Sequence, residues 1–200
     1  MIIVGELINS SRKAISEAIK SQDVQAIQNV AKDQRDAGAD YIDVNAGTFV
    51  GQESEYVNWL VENVQGVVDG PCCIDSPDPQ AIEKALAVHR GTAMINSISL
   101  EKERFEALLP IVTAHECQVV ALCMSDSGMP ESKDDRLSIA SDLINSLVKN
   151  TVPVENIYED PLVQPISTDS TKGVMVLDAV RAIKTKYPEV HITGGLSNIS

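Results

Sequence analysis

Short apolar or β-branched runs alternate along the chain with segments whose apolar residues recur every three or four positions. The runs are Ile2 to Val4, Tyr41 to Val44, Cys72 to Ile74, Ala93 to Ile95, Val119 to Leu122, Ile157 to Tyr158 and Val190 to Thr193, and they read as strands. In the gaps the period lengthens to that of a helix. "DPQAIEKALAVH" from Asp78 has an Asp-Pro start and puts Ala81, Ile82, Ala85, Leu86 and Val88 on one face. "EKERFEALLPIVTAH" does so with Phe105, Leu108, Leu109 and Val112, and "DDRLSIASDLINSLVKN" with Leu137, Ile139, Ala140, Leu143, Ile144 and Leu147. "TKGVMVLDAVRAIKTKY" predicts a face of Val174, Leu177, Val180 and Ile183.

Strands separated by helices at a repeat of roughly 30 residues predict right-handed βαβ units around a parallel sheet. No GxGxxG follows the first strand, which weakens a dinucleotide-binding open sheet. Polar residues stand instead at the C-terminal ends of nearly every strand: Glu6 and Asn9, Asp43 and Asn45, Asp75 and Ser76, Asn96 and Ser97, Asp126, Asp160, then Ser197 and Asn198. A barrel brings such ends to one face, where active sites are built, whereas an open sheet spreads them along a line. The expected fold class is α/β, a TIM (β/α)8 barrel, with the chain covering about strands 1 to 7. Such barrels take about 250 residues. Residues 1–200 are therefore expected to form a single barrel domain lacking its C-terminal closing units, roughly 50 to 70 residues at this repeat. An open seven-stranded sheet is the alternative, and it leaves strand seven as a bare edge.

Charge and composition narrow the function. A net charge of -13 repels phosphate backbones, and 4% aromatic residues leave few stacking platforms, so nucleic acid is not an expected partner. No uninterrupted apolar window reaches about 18 residues, and the start lacks a basic leader with a cleavage site. No membrane association is expected, and the cytoplasm is the expected location. Cys72, Cys73, Cys117 and Cys123 lack CxxC or Cys/His spacing and read as buried thiols, with no metal ligand set. His89 and His115 end predicted helices, where interaction with the helix dipole is the expected role.

Three strand-end residues suit one ligand. In "CCIDSPDP", Asp78 with Pro79 behind it is the better helix cap, which leaves Asp75 at the strand exit for other work. In "AMINSIS", Ser99 suits the next cap, which frees Asn96. Asp160 precedes Pro161, so its backbone is held extended, and a turn is the plain reading of that pair alone. Two carboxylates and an amide on one face match a planar row of donors and acceptors, as on the amino-oxo-pyrimidine edge of a pterin or guanine. Ser76, Ser97 and Ser125 have no histidine nearby in sequence to activate them.

The stretches "GELIN", "AGADYIDVNAG", "CCIDS", "AMINS", "DDRL", "YEDPL" and "GLSNIS" occur in order over the whole chain. Together they resemble the pterin-binding barrel family, and within it the methyltetrahydrofolate:corrinoid protein methyltransferases. The resemblance implies that Asp75, Asn96 and Asp160 hold the pterin ring of a folate, with Gly195, Ser197 and Asn198 lining the same site. Asn198 is the implied catalytic residue, hydrogen-bonded to N5, the nitrogen that carries the methyl group. Glu6, Asn9, Asp43, Asn45 and Ser97 are candidate supports behind these. The implied methyl acceptor is cob(I)alamin on a separate corrinoid protein, and the implied assembly is a homodimer. One departure is Leu7, where the family often has Arg, so position 7 is assigned no role.

Two alternatives follow from the same barrel. Dihydropteroate synthases usually require a lysine near the end of strand seven, where this chain has Leu196-Ser197-Asn198, and a proline-containing first loop, where it has "INSSRK". A non-catalytic folate-binding module, alone or inside a larger enzyme such as methionine synthase, is the other. The start at Met1 directly on a strand favours a free-standing chain.

Overall fold

A computed structural model describes residues 1–165 and 171–196. Ser197 and Asn198 therefore lie outside the described residues. The chain divides into two units, Met1–Asn96 and Ser97–Ser200.

In the first unit β1 (Val4–Asn9) leads through α1 (Lys13–Lys20) and α2 (Val24–Asp36) to β2 (Tyr41–Asn45). Then come α3 (Glu53–Gln65), β3 (Cys72–Asp75), α4 (Pro79–Val88) and the start of β4 (Met94–Leu100). Every pairing is parallel and joins neighbours in chain order, β1 to β2, β2 to β3 and β3 to β4. Strand β2 is buried on both faces, with Tyr41, Ile42, Asp43 and Val44 all covered, as expected of a parallel strand with helices against it. Val57, Leu60, Val61 and Val64 of α3 and Ala81, Ile82, Ala85 and Leu86 of α4 form the facing core. Each large apolar side chain so buried contributes about 1.5–3 kcal/mol.

The start of β1 departs from expectation. The apolar run Ile2–Val4 predicts a strand there, yet Ile2 and Ile3 are exposed and the strand runs from Val4 to Asn9, with Ile8 as its buried anchor. What fixes its position is polar: Gln34 of α2 accepts the Leu7 amide at 2.8 Å. A Cβ on Gly5 would lie 2.6 Å from that Gln34 Oε1, so glycine is what admits the glutamine.

The second unit continues from β4 through α5 (Lys102–Ala114), β5 (Gln118–Ser125), α6 (Lys133–Lys149), β6 (Ile157–Asp160), α7 (Thr171–Lys186) and β7 (His191–Ile192). Here β5 pairs with β6, and β6 with β7, again in parallel. The helix α6 starts on a capping box in which Ser132 and Asp135 exchange side-chain and backbone bonds of 3.0 Å. Two local expectations fail. Ser99 lies inside β4, bonded to Glu101 Oε2 at 2.9 Å, and does not cap α5. In α7 the buried stripe is Val176, Ala179 and Ile183, while Val174 and Leu177 are exposed. Both stripes satisfy a 3.6-residue period, and they share Ile183.

All four cysteines are free and buried, as their strand-like context predicts. His89 does more than sit at a helix end. Its Nε2 accepts the Cys72 amide at 2.9 Å and its Nδ1 lies 3.2 Å from the Gly91 carbonyl. Those partners require a neutral ring with the proton on Nδ1. Burial lowers its pKa in the same direction, and the ring serves the Cys72 and Gly91 backbone in place of the helix-dipole role expected from its position.

Candidate functional site

The parallel register brings the strand-end residues of the first unit to one level. Asn9 pairs with Asn45, Asn45 with Asp75, and Asp75 with Asn96, across β1 to β4. Aligned residues on neighbouring strands are about 4.8 Å apart, so a ligand of one ring's width can meet several of them. Four of the sequence candidates thus stand in one row.

The row is braced from behind. Asn45 Nδ2 donates to Asp75 Oδ2 at 2.9 Å. The Asn45 carbonyl oxygen accepts from Ser10 Oγ at 3.1 Å and from the Gly47 amide at 3.0 Å. A flipped Asn45 would set its NH2 against the Gly47 N–H, so the amide has one orientation and its donor faces Asp75. Ser10 is itself held, accepting the Thr48 amide at 3.2 Å. Asn9 serves the turn into α1, its Oδ1 accepting the Ser11 amide at 2.9 Å.

Asp43 lies two residues before Asn45 on the same strand face and is 1% exposed. Its carboxyl is bonded by the side chains of Cys73 and Asn96, and its Oδ2 has no hydrogen-bond partner among the described residues. Burial first, then the charge of Asp75, pushes its pKa well above the usual carboxylate range, with a smaller contribution from Glu6. Both burial and the neighbouring Asp75 charge favour the neutral form of Asp43. Glu6 is exposed and acts on this group through its charge alone.

Ser76 is fully buried, and its hydroxyl donates to Glu53 Oε1 at 2.5 Å while accepting the Asp78 amide at 3.0 Å. It ties the β3 exit to the first turn of α3. Asp78 caps α4 as expected, its Oδ1 accepting the Gln80 amide at 2.9 Å.

In the second unit Asp160 ends β6, half-buried, with Oδ1 accepting the Leu162 amide at 2.9 Å across Pro161. Leu162 has φ 62°, a left-handed conformation that costs a branched side chain of this kind about 1–2 kcal/mol. The Asp-Pro turn expected from sequence is therefore present, and it orients the aspartate. Beside Asp160 in sequence, Glu159 is fully buried with neither carboxyl oxygen bonded among the described residues. Burial, and then the Asp160 charge, raise its pKa strongly. Ser97 offers its carbonyl to Arg104 Nε at 2.7 Å, and Asp126 Oδ1 accepts the Lys102 amide at 3.1 Å at the start of α5. Gly195 is half-buried beyond β7. Among the described residues no group of three His, Cys, Asp or Glu side chains is placed to hold a metal ion.

Sequence reasoning missed Ser10, Gln34, Glu53 and Arg136. Ser10 directly follows the end of β1 and was open to a strand-end search, whereas Gln34 and Glu53 lie on α2 and α3, which such a search does not reach, and Arg136 sits on a helix whose other buried residues are mostly apolar.

Among the described residues, seven parallel strands paired in chain order with helices between them match the TIM-barrel-like α/β fold of solved structures. The dihydropteroate synthase of Xanthomonas albilineans superposes with a TM-score of 0.75 at 18% identity, over 98% of this chain and 71% of that one. That of Clostridium difficile gives 0.74 at 24%, over 98% and 76%. Residues 5–200 match the family described as pterin binding enzyme, and the chain belongs to that family. Among named relatives, the methylcorrinoid:tetrahydrofolate methyltransferase of Eubacterium limosum is 33% identical over 100% of this chain and 74% of its own length. The methionine synthase of Mycobacterium tuberculosis is 29% identical over 100% of this chain but only 18% of its own.

Proposed function

We propose that the protein is a methyltransferase that moves a methyl group between N5 of (methyl)tetrahydrofolate and the cobalt of a corrinoid protein. The observation that carries this reading is the Asn45–Asp75–Asn96 row, with one oxygen of Asp75 fixed at 2.9 Å by an amide that cannot flip. Such a braced carboxylate suits the donor edge of a pterin, since it accepts N–H bonds without reorganising. Membership of the pterin-binding family and 33% identity to the E. limosum enzyme support the same choice.

In this reading, as the family resemblance implies, Asp75, Asn96 and Asp160 are the pterin-binding residues, with Gly195, Ser197 and Asn198 also assigned to folate. Asn198 hydrogen-bonds N5. A tertiary amine is a poor leaving group unless the charge developing on it is met, and an asparagine can do so whether N5 is protonated or not. The corrinoid of the partner protein supplies the methyl-accepting or methyl-donating metal. This chain holds the folate, orients N5 and meets its charge, and the same groups serve either direction. A cytoplasmic homodimer with no nucleic-acid or membrane partner accompanies the reading; among the described residues no helix is long and apolar enough to cross a membrane. Methyl exchange between methyltetrahydrofolate and cobalamin, followed by the absorbance of the corrinoid with the full-length protein, is the test.

A further inference from the structure

Among the described residues Arg136 is the largest fully buried side chain, at 1% exposure, and it makes no ion pair with any of them. Its donors go to neutral acceptors. Nε bonds the Pro161 carbonyl at 2.9 Å, and Nη2 reaches the Leu162 carbonyl at 3.5 Å, the outer limit for such a bond. Nη1 bonds the Ser132 carbonyl and Met175 Sδ, both at 3.3 Å. Cys123 of β5 donates to the Arg136 carbonyl at 3.4 Å, so the backbone of the arginine is anchored as well.

A buried guanidinium costs several kcal/mol of desolvation, and an apolar residue of its volume would fill the space at least as favourably. Packing does not explain it. Its shortest bond goes to the carbonyl of Pro161, the residue directly after Asp160, and a longer one reaches Leu162, within the segment whose left-handed Leu162 lets the Asp160 carboxylate accept the Leu162 amide. Without that clamp, the strain at Leu162 favours relaxation of the turn, and Asp160 turns with it.

We propose that Arg136 is a positioning residue that holds the Asp160–Leu162 turn in the conformation that presents the Asp160 carboxylate to the pterin. The inference rests on the reading that Asp160 binds that ring, and a double-mutant cycle separates the two. Affinity of the full-length protein for methyltetrahydrofolate is measured by calorimetry for wild type, Arg136→Met, Asp160→Ala and the double variant. Arg136→Met should weaken binding by about tenfold or more, as loss of charge-assisted bonds that set a contact would. Against Asp160→Ala the same change should cost less than about twofold, because the group being positioned is gone. Arg136→Lys, which keeps one donor to the Pro161 carbonyl, should recover part of the loss.

If Asp160→Ala binds folate like wild type, the reading of Asp160 fails and the role of Arg136 fails with it. If Asp160→Ala is weakened but Arg136→Met is not, or costs the same in both backgrounds, the reading of Asp160 stands and the positioning role is overturned. Should both Arg136 variants fail to fold, Arg136 is a requirement of the core and the proposal is likewise overturned.

Discussion

Asn45 Nδ2 lies 2.9 Å from Asp75 Oδ2, and the opposite end of the same amide is pinned by Ser10 and by the Gly47 amide. The carboxylate is thus set before any ligand arrives, by a residue at the same level on the adjoining strand. Asn45→Leu removes the donor and keeps the volume. It should weaken folate binding by about 0.5–1.5 kcal/mol, the net worth of one such bond, which titration calorimetry can resolve. Asn45→Asp should be worse, since it faces one carboxylate with another.

Asp75→Asn tests the residue itself. The proposed charge-assisted contact to the pterin would become a mismatched amide, and folate affinity should fall by about 1.5–3 kcal/mol. Unchanged affinity would remove Asp75 from the site.

Glu159 ties stability to pH. Its pKa is raised in the folded protein by burial and by Asp160, so the folded state binds the proton more tightly than the unfolded one. Stability from this group is fully present below the ordinary glutamate value and is lost as pH rises from there through the raised folded value. Glu159→Gln cannot ionise. Its melting temperature should match wild type in acid and exceed it increasingly toward neutral pH, by the equivalent of about 1 kcal/mol or more. A constant difference across pH would show that Glu159 does not titrate in the fold.

The thiols should be inert in the native protein. Burial pushes Cys72 and Cys123 up to about 12 and Cys117 to about 11, and raises Cys73 strongly as well. Since the thiolate is the reactive form, an aromatic disulfide reagent at neutral pH should label none of the four until denaturant is added. One rapidly labelled cysteine would place that thiol at the surface.

Strand ends were the legible part of this chain. The apolar or β-branched runs located every strand among the described residues, β1 with a shift toward its polar end. The polar residues at strand C-terminal ends included Asn45, Asp75, Asn96 and Asp160, while the buried Asp43 and Glu159 interrupt the apolar run inside β2 and β6. What supports those residues was not legible. Ser10 and Glu53 reach the site region from just past β1 and from a helix start, and nothing in their local pattern separates them from ordinary surface residues. Arg136 stands within "DDRL", and a charged helical residue there reads as solvated until the turn after β6 is seen against it. In α7 the face was misplaced because Val174 and Leu177 outweigh Ala179 on hydrophobicity, whereas the buried stripe runs through Val176 and Ala179.

The central claim is methyl transfer, and the most direct measurement mixes the full-length protein with methyltetrahydrofolate and cob(I)alamin and follows the corrinoid spectrum. The account predicts catalysed conversion to methylcobalamin and, with tetrahydrofolate and methylcobalamin, the reverse. Asn198→Ala should slow both while folate affinity changes less, because the contact at N5 should strengthen in the transition state. Intact folate binding with no turnover in either direction would contradict the account and leave a folate-binding module.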